Sequence, residues 1–289
     1  MTDLPKWDPE GRPKKPQIVG IGAQKAGTTW LSQMLGQHPQ VWLPPFKEAQ
    51  FFNHRYIPDH RQWLPWHFKR SRQNQEKKWT AKGLPVPPAL DAYLLRVTRG
   101  EMFTNHWYKQ VFAPAPDGTL PCDITPEYST LPDEGVAFVA EFLPRAQFIY
   151  IIRHPVDRVI SQLKMNLTRK GRKPKGVEGW MAEIDDPVLY DRGDYATYVP
   201  RWTARLPAER LMILPFGAIA ANPGAFMRRV EAHCGLDRHS YENLATKVFP
   251  GNSALSCPPE VRAELRRRLE PQFQFIETTF GPEFASQSR

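Results

Sequence analysis

Residues 18–30 read IVGIGAQKAGTTW, a short β-branched apolar strand that runs into a glycine-containing turn and then into the first turn of a predicted helix. Strand, turn and helix in that order form the βα unit of a parallel α/β sheet. The same layout makes a phosphate cradle. Backbone N–H groups of the turn and the unpaired N–H groups of a helix N-terminus converge on one point, where the helix dipole favours negative charge. Gly22 and Gly27 let the backbone turn tightly, Lys25 puts an ammonium in the turn, and Thr28 and Thr29 add hydroxyl donors at the helix start. The loop is not a Walker A sequence, which needs lysine directly after Gly27, where this chain has Thr28. The Ser/Thr and Asp pair that holds Mg²⁺ in nucleotide triphosphatases is therefore not visible. A donor phosphate handled without metal is the expectation.

A second segment, residues 147–163, reads QFIYIIRHPVDRVISQL. Its apolar run from Phe148 to Ile152 suits a strand covered on both faces. Pro155 can open a helix, and Val156, Val159, Ile160 and Leu163 recur at helical spacing. Arg153 then lies at the carboxyl end of a strand and Ser161 further along the next helix, where both can meet one ligand. A third segment, Lys47-Glu48-Ala49-Gln50-Phe51-Phe52-Asn53, follows a strand-like Val41-Trp42-Leu43 and the turn-forming Pro44-Pro45.

The spelling Gln24-Lys25-Ala26-Gly27-Thr28-Thr29-Trp30 resembles the phosphosulfate-binding loop of sulfotransferases that use 3′-phosphoadenosine 5′-phosphosulfate (PAPS). The third segment resembles a run found in carbohydrate sulfotransferases of the heparan sulfate type. The likeness covers residues 17–53 and 122–280. It implies that Lys25, Ala26, Gly27, Thr28, Thr29 and Trp30 hold the 5′-phosphosulfate, that Arg153 and Ser161 grip the 3′-phosphate, and that Gly251 and Asn252 belong to a loop closing over the nucleotide. It also implies that Glu48 is the catalytic base, for which a carboxylate is apt: an acceptor hydroxyl needs a base within hydrogen-bond reach as its oxygen attacks sulfur. Asp123, in Cys122-Asp123-Ile124-Thr125-Pro126-Glu127-Tyr128, stands at the acidic position of the family's Glu-x-Thr-Pro-x-Tyr pattern, with a structural role as its default. Asp123 and a histidine such as His54 or His106 are the competing candidates for the base. The run Phe216-Gly217-Ala218 replaces the acidic residues that relatives carry after the corresponding strand.

Strands and helices alternate throughout, so the expected fold is a three-layer α/β/α domain with a central, mostly parallel sheet and a P-loop-like phosphosulfate-binding loop. The domain is expected to span residues 17–289, after a flexible arm over residues 1–16. Residues 54–120, rich in Tyr, Trp, Phe and His, form a variable insertion on the acceptor side, its aromatics serving as core or lining an acceptor pocket. A basic amphipathic helix is expected over residues 258–275.

The formal charge of +9 concentrates at Lys69-Arg70-Ser71-Arg72, at Lys77-Lys78 with Lys82, and across residues 169–175. These runs read as solvated faces or as an electropositive funnel for a doubly anionic cofactor and an acidic acceptor. Specific nucleic-acid binding is disfavoured by the absence of aromatic interleaving and of a known recognition motif. With no charged-then-apolar leader at Met1 and no apolar run near the roughly 18 residues of a membrane span, the expectation is a cytoplasmic protein. Three cysteines without a C-x-x-C pair argue against zinc or a disulfide framework, although Cys234 and Cys257 stand where Golgi relatives often have a disulfide.

The expected activity is thus transfer of a sulfuryl group from PAPS to a hydroxyl of a carbohydrate or small metabolite, leaving the desulfated 3′,5′-bisphosphate and requiring no metal. A divergent nucleotide kinase, and a non-catalytic polyanion-binding protein with an inactive loop, are the competing readings. Acceptor identity and oligomeric state are not encoded legibly.

Overall fold

Short apolar runs that each return through helices assemble, in the computed structural model, into one five-stranded sheet; the structure describes residues 7–8, 11–246 and 255–289. The strands are β1 (Ile18–Gly22), β2 (Val41–Trp42), β3 (Leu120–Ile124), β4 (Gln147–Ile152) and β5 (Leu211–Pro215), ordered β2-β3-β1-β4-β5. Every neighbouring pair is parallel. Phe148, Ile149, Ile151 and Ile152 are all wholly buried, and Tyr150 between them is 1% exposed. Since neighbours along a strand point to opposite faces, both faces of the sheet must be covered, which the flanking helices do.

Helix α1 (Thr28–Gln37) links β1 to β2. Between β2 and β3 lie α2 (Phe51–Tyr56), a 3-10 turn (Pro58–Trp63), α3 (Leu64–Thr80), α4 (Pro88–Thr98) and α5 (Asn105–Val111). A second 3-10 turn (Pro126–Thr130) and α6 (Asp133–Phe142) precede β4. Four helices, α7 (Pro155–Lys170), α8 (Gly176–Ile184), α9 (Val188–Asp191) and α10 (Tyr195–Arg205), lead to β5. The chain continues through α11 (Gly217–Ala221), α12 (Pro223–Cys234), α13 (Pro259–Arg268), α14 (Glu270–Phe280) and α15 (Pro282–Gln287).

Topology places the site. From β1 the chain moves to the β2 side of the sheet, whereas from β3 it crosses to β4 on the other side, so the strand order reverses between β1 and β4. Ligands of open parallel sheets bind at such a reversal, beyond the carboxyl ends of the strands. The register pairs Val19 with both Asp123 and Phe148, which sets the exits of β1, β3 and β4 side by side.

Residues 54–120 are helical, and their aromatic wealth serves mostly as core: Phe68, Trp79, Tyr93, Trp107 and Tyr108 are buried, while Trp66 is 55% exposed. Of the expected N-terminal arm, the described residues pack on the domain, with Trp7 against Trp42 and Tyr93 and Lys14 bonded to Asp117. The helix expected over residues 258–275 is two helices. Pro271 sits in the first turn of α14 and cannot extend the α13 ladder with an N–H, so the chain breaks at Leu269. Cys122, Cys234 and Cys257 are free thiols; Cys234 lies in the main core and Cys257 beside the smaller one under α7, α8 and α13. Along α3 the basic run is a solvated face, with Arg72 paired to Glu76 and Asp91.

Candidate active site

The turn after β1 is tightened by residues in left-handed conformations, Lys25 at φ 71° and Gly27 at φ 82°. Glycine suits the second, because that φ strains an L side chain and a Cβ there would press on Ile219 Cδ1 at 2.8 Å and the Phe216 ring at 3.2 Å. The Ala26 N–H is engaged inside the loop with the Ala23 carbonyl at 3.1 Å, so the cradle's own donors are those at the start of α1. That helix has neither a side-chain cap nor an acidic residue in its first turn, and its positive end therefore faces the loop uncompensated. Thr28 is buried and Thr29 half-buried at this end. The Trp30 ring turns into the core, edge-on to Phe226, and its N–H holds the Leu244 carbonyl at 3.0 Å.

Positive charge gathers around the loop. Arg153, one residue past β4, donates from Nη1 to the Lys25 carbonyl at 2.7 Å, and its guanidinium lies 4.5 Å from the Phe216 ring centre. Its Nε is buried with no partner among the described residues. The Lys25 ammonium touches Met165 Sδ at 3.7 Å and makes no ion pair among the described residues. Burial pushes its pKa down to about 8, and the charges of Arg153, Arg169, Lys47 and Arg158 act in the same direction. Ser161, Met165 and Arg169 recur every four residues and share one face of α7, the face that meets Lys25. Cations withdrawn from water normally find acidic partners, and neither half-buried Lys25 nor half-buried Arg153 forms an ion pair among the described residues. Gly251 and Asn252 lie outside the described residues.

The loop before α2 is held in an unusual shape, with Glu48 at φ 70° and Gln50 at φ 57°. Left-handed conformations at non-glycine residues cost on the order of 1–3 kcal/mol each and persist only where the surroundings impose them. The surroundings are specific. Asp123, 1% exposed, accepts from Thr125 Oγ1 at 2.7 Å, from the Tyr108 and Tyr128 hydroxyls at 2.9 Å each, and from the Ala49 N–H at 3.4 Å. The Tyr128 hydroxyl in turn accepts from the Phe51 N–H at 3.1 Å, and His67 Nε2 meets the Glu48 carbonyl at 2.9 Å. Asp123 is thus committed to shaping the loop. His54 stacks on Phe103 at 3.8 Å, and the exposed His106 reaches Gln110 at 3.2 Å.

Glu48 itself accepts from Lys47 Nζ at 2.9 Å and from Gln50 Nε2 at 3.2 Å. Burial would raise its pKa, but the Lys47 charge and hydrogen bond, with His67 and Arg192 behind them, hold it below the usual glutamate range. Lys47 also lies 3.5 Å from Thr28 Oγ1, so this one lysine stands between the carboxylate and the start of α1. Sequence reasoning did not single out Lys47, Gln50, His67, Gln24 or Glu127. Glu127 occupies the unspecified position of the Thr-Pro-x-Tyr pattern, and only the turn after β3 brings it to Glu48.

An uncompensated helix start, a lysine–arginine cluster at the topological reversal and a carboxylate one side chain away fit transfer of an anionic group to a nucleophile. A model of the sulfotransferase family matches residues 16–240. The chain belongs to the sulfotransferase family. It is 24% identical over 291 residues to the human heparan sulfate glucosamine 3-O-sulfotransferase 6, covering 92% of this chain and 71% of that one. A bovine bifunctional heparan sulfate N-deacetylase/N-sulfotransferase 2 is 23% identical over 76% of this chain, which spans 22% of that larger protein. Among solved structures, a sulfotransferase from Alicyclobacillus acidocaldarius superposes with a TM-score of 0.65 at 20% identity, over 95% of this chain and 99% of its own. A mouse sulfotransferase complexed with PAP gives 0.51 at 12% identity, over 96% and 90%. The solved structures show a shared fold, and membership of the family supports sulfuryl transfer as the chemistry. Among the described residues no helix is long and apolar enough to cross a membrane.

Proposed function

We propose that this sulfotransferase moves a sulfuryl group from PAPS to a hydroxyl of a carbohydrate or small-metabolite acceptor, with Glu48 as base. The observation that carries the reading is the half-buried Lys25–Arg153 cluster, which makes no ion pair among the described residues, beside a helix start whose Thr28 is linked to Glu48 by Lys47. The residues suit the donor. The N–H groups at the start of α1, the hydroxyls of Thr28 and Thr29, and Lys25 would hold the 5′-phosphosulfate, while Arg153, with its unpartnered Nε, and Ser161 would take the 3′-phosphate. When bound, that donor supplies the sulfuryl group on an activated phosphate oxygen. Its affinity for this kind of site is supported by the PAP complex of the mouse neighbour. A carbohydrate acceptor is supported by the heparan sulfate relatives.

The chain's own part is proton and charge handling. Glu48, kept ionised by Lys47, takes the acceptor's hydroxyl proton as the oxygen attacks. Lys25 neutralises the charge that grows on the departing phosphate oxygen. An anion at the start of α1 gives Lys47 a second partner beside Thr28, loosening its hold on Glu48 and strengthening the base only when the donor is present.

The test is donor preference. A hydrogen bond to a charged group contributes about 1.5–3 kcal/mol, so the wild type should favour PAPS over adenosine 5′-phosphosulfate, which lacks the 3′-phosphate, by at least about tenfold. Steady-state kinetics with both donors should show that preference shrinking in Arg153→Ala. Ser161→Ala, which leaves the Arg153–Lys25 contact intact, should shrink it by less. Equal use of the two donors by the wild type would mean that Arg153 and Ser161 do not read a 3′-phosphate.

A further inference from the structure

Glu127 has no task in the reaction described above, yet it faces the base. It sits in the 3-10 turn after β3, 5% exposed, and the Gln50 amide lies between the two carboxyls: Nε2 is 3.2 Å from Glu48 Oε2 and 3.3 Å from Glu127 Oε2. Gln24, from the cradle loop, places its Nε2 3.2 Å from Glu127 Oε1. Among the described residues no lysine or arginine pairs with Glu127, whereas Glu48 has Lys47 at 2.9 Å. Two buried amide oxygens, Gln24 Oε1 and Gln50 Oε1, have no donor among the described residues.

These facts fit one protonation state. A half-turn of the Gln24 amide exchanges its oxygen and nitrogen with little change of shape, and it would present the orphan oxygen to Glu127 Oε1 while Gln50 keeps its Nε2 between the two carboxyls. Such an oxygen is satisfied only by a carboxyl O–H. Buried polar atoms rarely lack partners, and two ionised carboxylates sharing one amide donor would repel at short range. We propose that Glu127 is held as a neutral carboxylic acid, its O–H given to Gln24, and acts as a positioning residue for Glu48 through the Gln50 Nε2 group, which fixes one oxygen of the base while Lys47 fixes the other. The inference rests on the assignment of Glu48 as base.

Every charged group facing Glu127 bears on this. Burial first, and then the Glu48 charge from the loop before α2, raise its pKa; Arg192, just past α9, and Lys47 act against them and do not prevail. Its other neighbour, Gln24, carries no charge. The two carboxyls are therefore driven apart, one a standing base and the other a standing acid. With Glu127 neutral, Glu48 and Lys47 cancel, and the acceptor's proton has a single carboxylate to go to.

Carbon-13 NMR of the full chain labelled at the glutamate carboxyl carbons tests the proposal directly. The resonance missing from Glu127→Gln should titrate above the ordinary glutamate range and be neutral at a pH where the exposed glutamates are ionised. Turnover of Glu127→Gln should stay within about threefold of wild type, since an amide reproduces the neutral acid's donor. Loss of the bridge in Glu127→Ala should lower kcat on the order of tenfold, the worth of one hydrogen bond, with KM for PAPS unchanged. A Glu127 resonance that titrates in the ordinary range would overturn the proposal. So would a Glu127→Gln chain that is as impaired as Glu127→Ala or that fails to fold, because replacing a neutral acid by a neutral amide changes neither charge nor shape. The titration needs no acceptor and no turnover, so it separates failure of this proposal from failure of Glu48 as base, which shows only in transfer.

Discussion

Glu48→Gln is expected to lower sulfuryl transfer to a hydroxyl acceptor by about 10²–10⁴-fold while leaving affinity for the product nucleotide close to wild type. Glutamine keeps the size of the side chain and one acceptor oxygen, which can stay with Lys47, while the contact from Gln50 Nε2 to the other oxygen is lost. What it cannot do is take a proton. Stopped assays with PAPS, alongside a nucleotide-binding titration, separate the two effects. Because Lys47 holds Glu48 ionised below the usual glutamate range in the free protein, wild-type kcat/KM for PAPS should fall only as the pH drops through that lowered value. A histidine base would instead lose activity near its reference value of about 6.5. Retained activity in Glu48→Gln with a dead His54 or Asp123 variant would move the base elsewhere; the four donors on Asp123 make that residue a shaper of the loop.

Lys25→Ala should cost turnover on the order of 10²–10³-fold, the usual loss when one preorganised donor is removed, and should weaken product-nucleotide binding far less. The asymmetry arises because charge on the departing oxygen grows as the S–O bond breaks, so the lysine matters more in the transition state than before it. Its pH signature follows from burial among cations. With a pKa near 8 the ammonium is charged below that pH and lost as pH rises through it, so kcat/KM should decline above about 8. Bound donor supplies the missing negative charge, raises that pKa, and should move the alkaline limb of kcat to higher pH. Near-normal turnover in Lys25→Ala would show that the cation cluster does not serve the transferring group.

Where a candidate site is carried by contiguous residues, its place in the fold was legible in the sequence. The β1–α1 unit and the β4–α7 unit each carry their own strand, turn and helix signals, and parallel pairing of β1 with β4 does the rest by setting Lys25 against Arg153. Glu48 was legible as a candidate for the same reason. The Glu48–Gln50–Glu127–Gln24 chain was not, because it joins three segments that meet only through the β1–β3 register and the two left-handed residues in the loop before α2. Nothing in the spelling of a loop reveals such dihedrals, since they are imposed by Asp123, Tyr128 and His67 from outside it. The helices α3 to α5 were hidden similarly: aromatic density signals burial, not the element that delivers it. In the C-terminal region apolar spacing continued across Pro271, and the helix did not.

Sulfuryl donor, phosphoryl donor and nonspecific polyanion binding make different demands on the cradle, and calorimetric titration of the whole chain distinguishes them. The desulfated product PAP should bind at one site per chain without added metal, should be preferred over ATP with Mg²⁺, and should lose affinity in Arg153→Ala. Tighter binding of ATP that depends on Mg²⁺, or weak binding of PAP indistinguishable from other polyanions and erased by moderate salt, would contradict a PAPS-dependent transferase.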